Sequence, residues 1–390
     1  MRSADVLIVG GGPAGSTCAW QLHRLGFDVV IWDRRPFPRD KICAGWITPQ
    51  VVASLTLDLG AYAATGRTCQ PIYGFQVSRQ GGRAARVRYP APVSYGIRRC
   101  EFDHYLLGRS GAEQRLGEPL RTLERRDGYW VVNGAVRAPV LVGAGGHFCP
   151  VAQRLGAELG HGEPIVAAQE AEFALTAEQA RACQVEQDLP EIFFSRDLKG
   201  YGWVFRKGDY INVGLGRQGN ERLSAHVAEF LRWLVAHGKV PRDLGAKMCG
   251  HPYLLYDQAP RPLVGDGAVL IGDAAGLAYP TSGEGIRPAV ESGLLAATTI
   301  AEAGGCYDRK HLAQYARRIT ERFGPRGPTP SILDLVPGPL LRALAGQLFC
   351  RRWFARRIVL DDWFFHTRQA PLQASPVAAR GERVSGGLGY

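Results

Sequence analysis

Three glycines near the start of the chain have the spacing of a dinucleotide-binding turn. Gly10, Gly12 and Gly15 form the pattern G-x-G-x-x-G directly after the apolar run Val6–Val9. In such a turn the first glycine allows a sharp bend, the second lets the backbone approach a pyrophosphate, and the third lets a helix pack on a strand. The pattern therefore predicts a nucleotide site at the start of a helix that covers residues 14–25.

Two further features of this segment suit a nucleotide. The helix start at Pro13 and Ala14 would present free N–H groups and the positive end of the helix dipole to the phosphates. Asp33 ends a second predicted strand, residues 27–32, and a carboxylate there can accept a hydrogen bond from a ribose hydroxyl. The alternative is a tight strand–helix turn without a ligand. The strand, the helix and the terminal acid together favour the nucleotide.

A second glycine-rich element begins at Gly272, near the other end of the chain. Asp273 follows the apolar run 268–271, so its carboxylate would emerge from the end of a buried strand and could accept from a ribityl hydroxyl. The alternative role for this aspartate is a helix N-cap. Two glycine elements so far apart favour one long cofactor that is held at both ends, and the sequence therefore predicts FAD.

The loop after Asp273 supplies a further set of backbone donors. Gly283, Glu284 and Gly285 precede Ile286, where a helix is predicted to start. Their N–H groups could face the N1–C2=O edge of a flavin, an arrangement that stabilises the reduced form. The alternative is a loop without a ligand, and the neighbouring Gly272-Asp273 pair favours flavin contact.

The elements that must position these residues alternate between strand and helix patterns. They predict an α/β fold: a discontinuous Rossmann-type FAD-binding domain, an inserted antiparallel substrate sheet and a C-terminal helical part. Helices are expected over 101–114, 286–303 and 310–323. The predicted boundaries are 1–70, 98–165 and 255–305 for the FAD-binding domain, 71–97 and 166–254 for the substrate-binding domain, 306–370 for the helical region and 371–390 for a flexible tail.

The composition excludes several other classes of protein. A chain of 390 residues with 46% hydrophobic residues can form one large or two ordinary cores. The nine cysteines are scattered without paired C-x-x-C spacing, so neither a zinc site nor a disulfide framework is expected. No secretory signal precedes the first strand, and no apolar run is long enough to span a bilayer. A cytoplasmic location is therefore expected.

The formal net charge of +11 indicates either an anionic partner or a solvated basic surface. No nucleic-acid-binding motif accompanies it, so no nucleic-acid partner is expected. The basic residues are mostly dispersed, but in the segment 351–368 arginines alternate with aromatic residues. Such a stretch can lie on an anionic bilayer as a peripheral contact. The favoured interpretation is a C-terminal helix that packs on the body with its arginines outward.

Five segments resemble motifs of the geranylgeranyl reductase family, within the class of flavoproteins that includes aromatic hydroxylases and flavin-dependent halogenases. The resemblance covers most of residues 4–305 and implies FAD as cofactor, with NAD(P)H or another reductant as electron donor. It also implies that Arg34, Lys41, Ala44, Gly45, Arg99 and Gly145 lie at the cofactor. The segments are the opening glycine turn, Lys41-Ile42-Cys43-Ala44-Gly45, Arg99-x-x-Phe102-Asp103-x-x-Leu106, Tyr201-Gly202-Trp203-Val204-Phe205 with Val213-Gly214, and Gly272-Asp273-Ala274-Ala275-Gly276 with Gly283-Glu284-Gly285-Ile286.

The chain departs from the pattern at three places. Ala44 replaces the first of two glycines after the cysteine, and Arg206 stands where a proline usually follows. Gly145-Gly146 occupies the position of the usual Asp-Gly pair. The first two departures lie near the expected substrate, and the third lies where hydroxylases handle the cofactor phosphate and NADPH.

The resemblance places Cys43 near the isoalloxazine ring, where it is the candidate catalytic residue. A neighbouring cation such as Lys41 can make a thiol more reactive. The favoured alternative is that Cys43 only packs beside the ring, because cysteine is also a common small buried residue. Tyr201, Trp203 and Phe205 share one strand face and, with Pro280, could line an apolar substrate pocket. They could equally form a sheet core.

The sequence thus predicts an FAD-dependent oxidoreductase. The leading interpretation is reduction of a carbon–carbon double bond in a hydrophobic, isoprenoid-like substrate, with hydride from reduced flavin and a proton from a nearby acid. The second is a flavin-dependent monooxygenase or halogenase that acts on an aromatic, peptidyl or carrier-bound substrate. A third, from another class, is a non-catalytic FAD-binding assembly protein.

Overall fold

The computed structural model describes residues 1–160, 162–219, 221–243, 246–327 and 344–374. Within these residues the strands form four sheets, of four, six, seven and three strands. The two larger sheets carry the two main hydrophobic cores, and the smaller sheets extend them.

The six-stranded sheet carries the opening glycine turn. All its pairs are parallel except β19 with β20. Its three central strands are wholly buried, because their β-branched runs suit a sheet that is covered on both faces. The strand order is β19 (Val264–Gly265), β20 (Ala268–Leu270), β13 (Val140–Gly143), β2 (Val6–Val9), β3 (Val29–Asp33) and β9 (Glu113–Leu116).

The seven-stranded sheet carries the aromatic motif. It is antiparallel apart from one pair, β6 with β15, which is parallel. Hairpins enforce antiparallel pairing only between consecutive strands, and a long connection separates these two. The strand order is β18 (Cys249–Leu254), β14 (Ile165–Ala174), β17 (Tyr210–Gln218), β16 (Gly200–Lys207), β15 (Glu191–Phe194), β6 (Gly74–Arg79) and β7 (Ala84–Arg88).

Two small sheets complete the strands of the described residues. The three-stranded sheet joins the segment after Cys43 to the helices of the larger core. Its order is β4 (Trp46–Ile47), β8 (Ser94–Ile97) and β5 (Cys69–Ile72), and the four-stranded sheet runs β1 (Arg2–Ser3), β12 (Val136–Ala138), β11 (Tyr129–Val132) and β10 (Leu123–Arg126).

The helices cover the sheets, and two of them approach each other unusually closely. A side chain at Gly293 would come within 2.6 Å of the Ala14 carbonyl oxygen, so glycine is needed where these two helices cross. The helices are α1 (Pro13–Arg24), α2 (Pro49–Ser54), α3 (Leu59–Ala64), α4 (Arg99–Gly108), α5 (Pro150–Arg154), α6 (Ala177–Ala182), α7 (Leu223–Ala236), α8 (Ile286–Glu302), α9 (Arg309–Phe323) and α10 (Arg352–Phe354), which continues as a π-helix over Ala355–Phe364.

The predicted fold class is confirmed, with one error in the placement of a helix. The helix expected over 101–114 ends at Gly108, and residues 113–116 instead form β9 beside β3. The reason is Gly111, whose φ of +69° turns the chain out of the helical path. The domain boundaries stay predictions, and the expected tail lies outside the described residues from 375 onward.

Among the helices that the structure describes, none is long and apolar enough to cross a membrane.

A pair of glycines on β17 allows a test of the packing on the aromatic face. A side chain at Gly214 would overlap the Trp203 ring, whereas one at Gly216 would meet the Ala168 methyl group at an ordinary 3.4 Å. We expect Gly214→Ala to lower the free energy of unfolding by about 1–3 kcal/mol, the usual cost of overpacking. Gly216→Ala should leave it unchanged or slightly raised, because alanine suits a strand better than glycine. Urea denaturation measures both, and equal losses would contradict this account of Gly214.

Candidate active site

The turn after β2 has no room for a side chain at its first and third glycines. Gly10 has a φ of +115°, and a side chain there would overlap the Ala144 carbonyl group at the end of β13. A side chain at Gly15 would overlap the Gly10 carbonyl oxygen. These contacts give the first and third glycines the roles that the spacing predicts, a sharp bend and a close approach of α1 to its strand.

The middle glycine, in contrast, faces open space. The nearest group to a side chain at Gly12 would be the Arg39 guanidinium, with Nη2 at 3.5 Å. Gly12 is also the N-cap of α1, with no side-chain hydrogen bond, and Pro13 follows it at the first helical position. Free N–H groups, a helix dipole and a guanidinium around an open position fit the pyrophosphate of FAD.

Asp33 stabilises this turn through the backbone. Its Oδ2 accepts from the Gly11 N–H at 2.8 Å, and its Oδ1 accepts from the Arg35 N–H at 2.9 Å. The carboxylate is therefore fixed at the end of β3, beside the turn, and keeps lone pairs for a ribose hydroxyl. The Arg34 side chain is exposed beyond it.

A buried charge cluster lies behind Arg39. Arg99 makes a bidentate ion pair with Asp103, at 2.8 and 2.9 Å, and Arg39 Nη1 lies 3.4 Å from the same carboxylate. Burial alone would lower the pKa of Arg99, but the neighbouring Asp103 and Cys43 together outweigh it and the pKa is raised. Arg39 and Asp103 were not among the predicted site residues. The signal for Asp103 is its i,i+4 spacing from Arg99, which favours an ion pair on one helix face.

A second charged group forms where three distant segments meet. Lys41 Nζ lies 2.6 Å from His251 Nε2, which in turn lies 3.9 Å from Asp273 Oδ2. Burial lowers the pKa of Lys41 to about 8, and the nearby Arg99 adds to the effect. For Asp273 burial acts in the opposite direction, but His251 and Lys41 outweigh it and hold the pKa below its ordinary value. His251, on β18, gave no motif in the sequence.

The second glycine element lies directly against the first. Gly272 has a φ of +57°, and a side chain there would come within 3.0 Å of the Ala14 Cβ at the start of α1. The Gly272 N–H donates to Ser292 Oγ on α8 at 3.0 Å. The two elements that were predicted to hold one cofactor therefore meet at the start of α1, and Asp273 emerges beside them.

The loop before α8 places Glu284 under the helix start. Glu284 Oε1 accepts from the Arg287 N–H at 2.8 Å, while Oε2 is buried with no partner among the described residues. Burial raises the pKa of Glu284 to about 7. Gly283 adopts a φ of +67° beside the Tyr253 hydroxyl, Ile286 is buried, and a side chain at Gly285 would lie 3.3 Å from Asp273 Oδ1.

An arginine supports the Asp273 turn from behind. Arg261 is fully buried, pairs with Glu163 at 2.7 Å, and donates to the carbonyl oxygens of Asp273 and Ala274 at 3.3 Å. His147 lies beside this pair, and burial followed by the Arg261 charge lowers its pKa to about 4. The predicted contact Gly145 precedes it in the loop after β13, where a side chain would approach Cys149 Sγ at 3.2 Å.

The peptide of Cys43 is clamped against the seven-stranded sheet. Asn212 Nδ2 donates to the Cys43 carbonyl oxygen at 3.2 Å and to Glu170 Oε2 at the same distance. The Cys43 sulfur accepts from the Gly45 N–H at 3.4 Å, and the Arg99 guanidinium lies nearby. Asn212 Oδ1 accepts from the Trp203 indole N–H at 2.7 Å, so the clamp connects Cys43 to the aromatic motif.

The segment that follows Cys43 is equally constrained. Gly45 adopts a φ of +68°, and a side chain there would overlap the Lys207 ammonium group. Ala44 is half-buried and packs against the aromatic core of the sheet. The predicted cofactor contacts Lys41, Ala44 and Gly45 therefore share one fixed loop with Cys43.

The aromatic motif on β16 is packed. Trp203 and Phe205 are buried, and Phe205 lies 6.2 Å from the Trp46 ring between centroids. Tyr201 donates to the Ser282 carbonyl oxygen and contacts Phe364 of the C-terminal segment, with ring centroids 5.4 Å apart. The fourth predicted pocket residue, Pro280, is exposed. The motif therefore forms an aromatic core, and its role as a pocket wall stays a prediction.

A Rossmann-type domain whose glycine elements meet at one helix start is the architecture of a flavoprotein oxidoreductase. Residues 8–73 match the NAD(P)-binding Rossmann-like domain. The chain is 31% identical over 347 residues to menaquinone reductase of Mycobacterium tuberculosis, with 83% of this chain and 81% of the relative covered. It is 30% identical over 318 residues to geranylgeranyl diphosphate reductase of Rhodobacter capsulatus, with 75% and 74% covered.

Solved structures show the same fold. A geranylgeranyl bacteriochlorophyll reductase-like protein from Thermoplasma acidophilum superposes with a TM-score of 0.73 at 20% identity, over 93% of this chain and 97% of the other. A variant of the halogenase PltM in complex with FAD gives 0.65 at 18% identity, over 82% and 74%. The chain belongs to the geranylgeranyl reductase family of FAD-dependent oxidoreductases. The predicted family, fold class and cofactor are confirmed, while the roles of single residues stay predictions.

The open position at Gly12 gives a direct test of the phosphate site. We expect Gly12→Val to weaken FAD binding by at least about tenfold, equivalent to roughly 1.4 kcal/mol, because its side chain fills the space beside Arg39. The protein should remain folded, since that space holds no other group within 3.5 Å. The measurements are the flavin absorbance of the purified protein and titration of the apoprotein with FAD.

A matched control is Gly108→Val, at the exposed end of α4, where a side chain meets nothing within 4 Å. This variant should bind FAD as the unaltered protein does. An unchanged affinity in Gly12→Val would show that the first glycine element has another role.

Proposed function

We propose that this oxidoreductase reduces carbon–carbon double bonds in a hydrophobic, isoprenoid-like substrate. The supporting observation is the hydrogen-bonded path from Trp203 through Asn212 to Cys43. It ties an aromatic apolar face to the loop that also carries Lys41 and Gly45. A long apolar chain held beside this packed aromatic core could bring one double bond to the flavin.

The names of relatives support this substrate class. One is a geranylgeranyl diphosphate reductase, and another, 26% identical over 349 residues, is digeranylgeranylglycerophospholipid reductase 2 of Methanosphaera stadtmanae. Geranylgeranyl groups are isoprenoid chains with several double bonds. NAD(P)H or another reductant is the proposed electron donor. A cytoplasmic location, expected from the scattered cysteines, stays a prediction.

When bound, reduced FAD supplies a hydride equivalent. We propose that Gly12, the start of α1 and Arg39 hold its pyrophosphate, while Asp33 and Asp273 accept from its sugar hydroxyls. The turn at Gly283, Glu284 and Gly285 would face the flavin ring. These groups are fixed before binding, because glycine packing and backbone hydrogen bonds hold every one of their segments, so little order has to be gained on binding.

Reduction of a double bond also needs a proton on the second carbon. We propose that the Cys43 thiol supplies it. The Cys43 carbonyl oxygen accepts from Asn212, and the sulfur accepts from the Gly45 N–H, which orients the side chain. The nearby Arg99 guanidinium would stabilise the charge that remains after the proton leaves.

The reaction type can be tested with purified protein, FAD, a chemical reductant and a geranylgeranyl lipid. A reductase adds two hydrogens for each double bond that it saturates, and mass spectrometry of the lipid measures them. A monooxygenase or halogenase would instead add an oxygen or halogen atom to an aromatic substrate. The halogenase structures support only the shared fold, because their identity to this chain is low. Oxygen or halogen insertion without saturation would overturn the proposal.

The role of Cys43 can be tested with two substitutions. If the thiol donates the proton, Cys43→Ala should slow turnover by about a hundred- to ten-thousand-fold, the usual contribution of a general acid. FAD binding and flavin reduction should stay intact. Cys43→Ser should recover little, because a hydroxyl is a much weaker acid than a thiol. If Cys43 only packs beside the ring, both variants should keep turnover within roughly tenfold of the unaltered enzyme.

A further inference from the structure

The C-terminal segment 344–365 is packed on its inner side. Its buried residues contact the aromatic face of the seven-stranded sheet, and Phe364 and Phe365 lie 5.9 and 5.6 Å from the Trp46 ring between centroids. The Tyr89 hydroxyl, directly after β7, donates to Asp361 Oδ1 at 2.7 Å and fixes the segment there. Packing on the body therefore accounts for most of the aromatic residues of this segment.

Packing does not account for the outer side. Trp353 is 61% exposed, although tryptophan is among the costliest side chains to leave in water. Exposed arginines flank it on both sides in the chain. We name this surface the arginine–tryptophan face; it consists of Arg351, Arg352, Trp353, Arg356 and Arg357.

The positive charge of this face is not neutralised within the described part of the chain. None of its four arginines forms an ion pair there, and Arg356 instead lies over the Tyr89 ring at 4.9 Å. Arginines on the adjoining strand differ, since Arg86 and Arg88 both pair with Glu186 at 2.6 Å. Two acids that follow in the same segment are engaged elsewhere, Asp361 with Tyr89, and Asp362 with Arg368 at 3.5 Å.

An exposed indole among unpaired arginines has the chemistry of a bilayer interface. Arginines are attracted by anionic headgroups, and tryptophan prefers the depth where headgroups meet acyl chains. A nucleic acid would also attract the arginines, but it does not require the exposed apolar ring. We propose that the arginine–tryptophan face docks this enzyme on an anionic phospholipid bilayer.

In this arrangement the two sides of the C-terminal segment contact different partners. The outer side meets the headgroups, and the inner side contacts the aromatic face that carries Trp203 and Phe205. Docking would thus bring a membrane-dissolved substrate near that face. This consequence, unlike the docking itself, rests on the proposed isoprenoid reductase function.

Vesicle binding of the full-length FAD-bound protein tests the docking without any turnover. We expect the protein to sediment with phosphatidylcholine vesicles that contain phosphatidylglycerol, and not with phosphatidylcholine alone. The triple variant Arg351→Gln, Arg352→Gln, Arg357→Gln should lose about tenfold or more in binding. Anionic vesicles should change the tryptophan fluorescence of the unaltered protein. In Trp353→Phe the contribution of the exposed indole to that change should be absent.

The matched control removes three exposed arginines elsewhere, Arg121→Gln, Arg154→Gln and Arg181→Gln, with the same loss of charge. It should bind vesicles within about twofold of the unaltered protein, because only local charge acts at short range. Equal losses in both triple variants, no binding to anionic vesicles, or tighter binding to duplex DNA than to vesicles would overturn the proposal.

Reductase turnover is measured separately, with detergent-dispersed lipid. There both triple variants should keep full turnover, so failure of docking and failure of reduction remain distinguishable. A loss of turnover in detergent confined to the Arg351, Arg352 and Arg357 variant would contradict a role limited to docking.

Discussion

The close contact between the start of α1 and the second glycine element is the constraint on which this site depends. Gly272 and Gly293 both lack the side chain that would push the second element and α8 away from the start of α1. Because they can touch, a turn near residue 10 and a turn near residue 272 face the same space. One extended cofactor can then be held by both ends of the chain, and the helix dipole, Arg39 and Asp273 act on it together.

A second constraint on the site is the set of hydrogen bonds that holds the Cys43 loop. The Cys43 carbonyl oxygen accepts from Asn212 on the seven-stranded sheet, and its sulfur accepts from the Gly45 N–H within the same loop. A loop would ordinarily be among the more mobile parts of a fold. Here these hydrogen bonds hold it, so the candidate proton donor does not have to find its place in each cycle.

The buried charged residues stabilise one another as ion pairs. Arg99 satisfies Asp103, and Arg261 satisfies Glu163 while it donates to the backbone under Asp273. A buried ion lacking such partners would be costly, which is why these groups occur as pairs with additional hydrogen bonds. One exception is Glu284 Oε2, buried with no partner in the described part of the chain, at the start of the helix that faces the predicted flavin ring.

The amino-acid sequence by itself determined the nucleotide turn, the buried parallel strands and the family. Those features are local: spacing, β-branched runs and glycines report on neighbours along the chain. It misplaced the end of α4, because the positive φ of Gly111 turns the chain out of the helix and residues 113–116 then pair with β3. It also missed Arg39, Glu163, His251 and Arg261, which are isolated in sequence and acquire their roles from residues far away. Only tertiary packing could decide that Trp203 and Phe205 lie in an aromatic core and which side of the C-terminal segment faces water, because both depend on what covers a face.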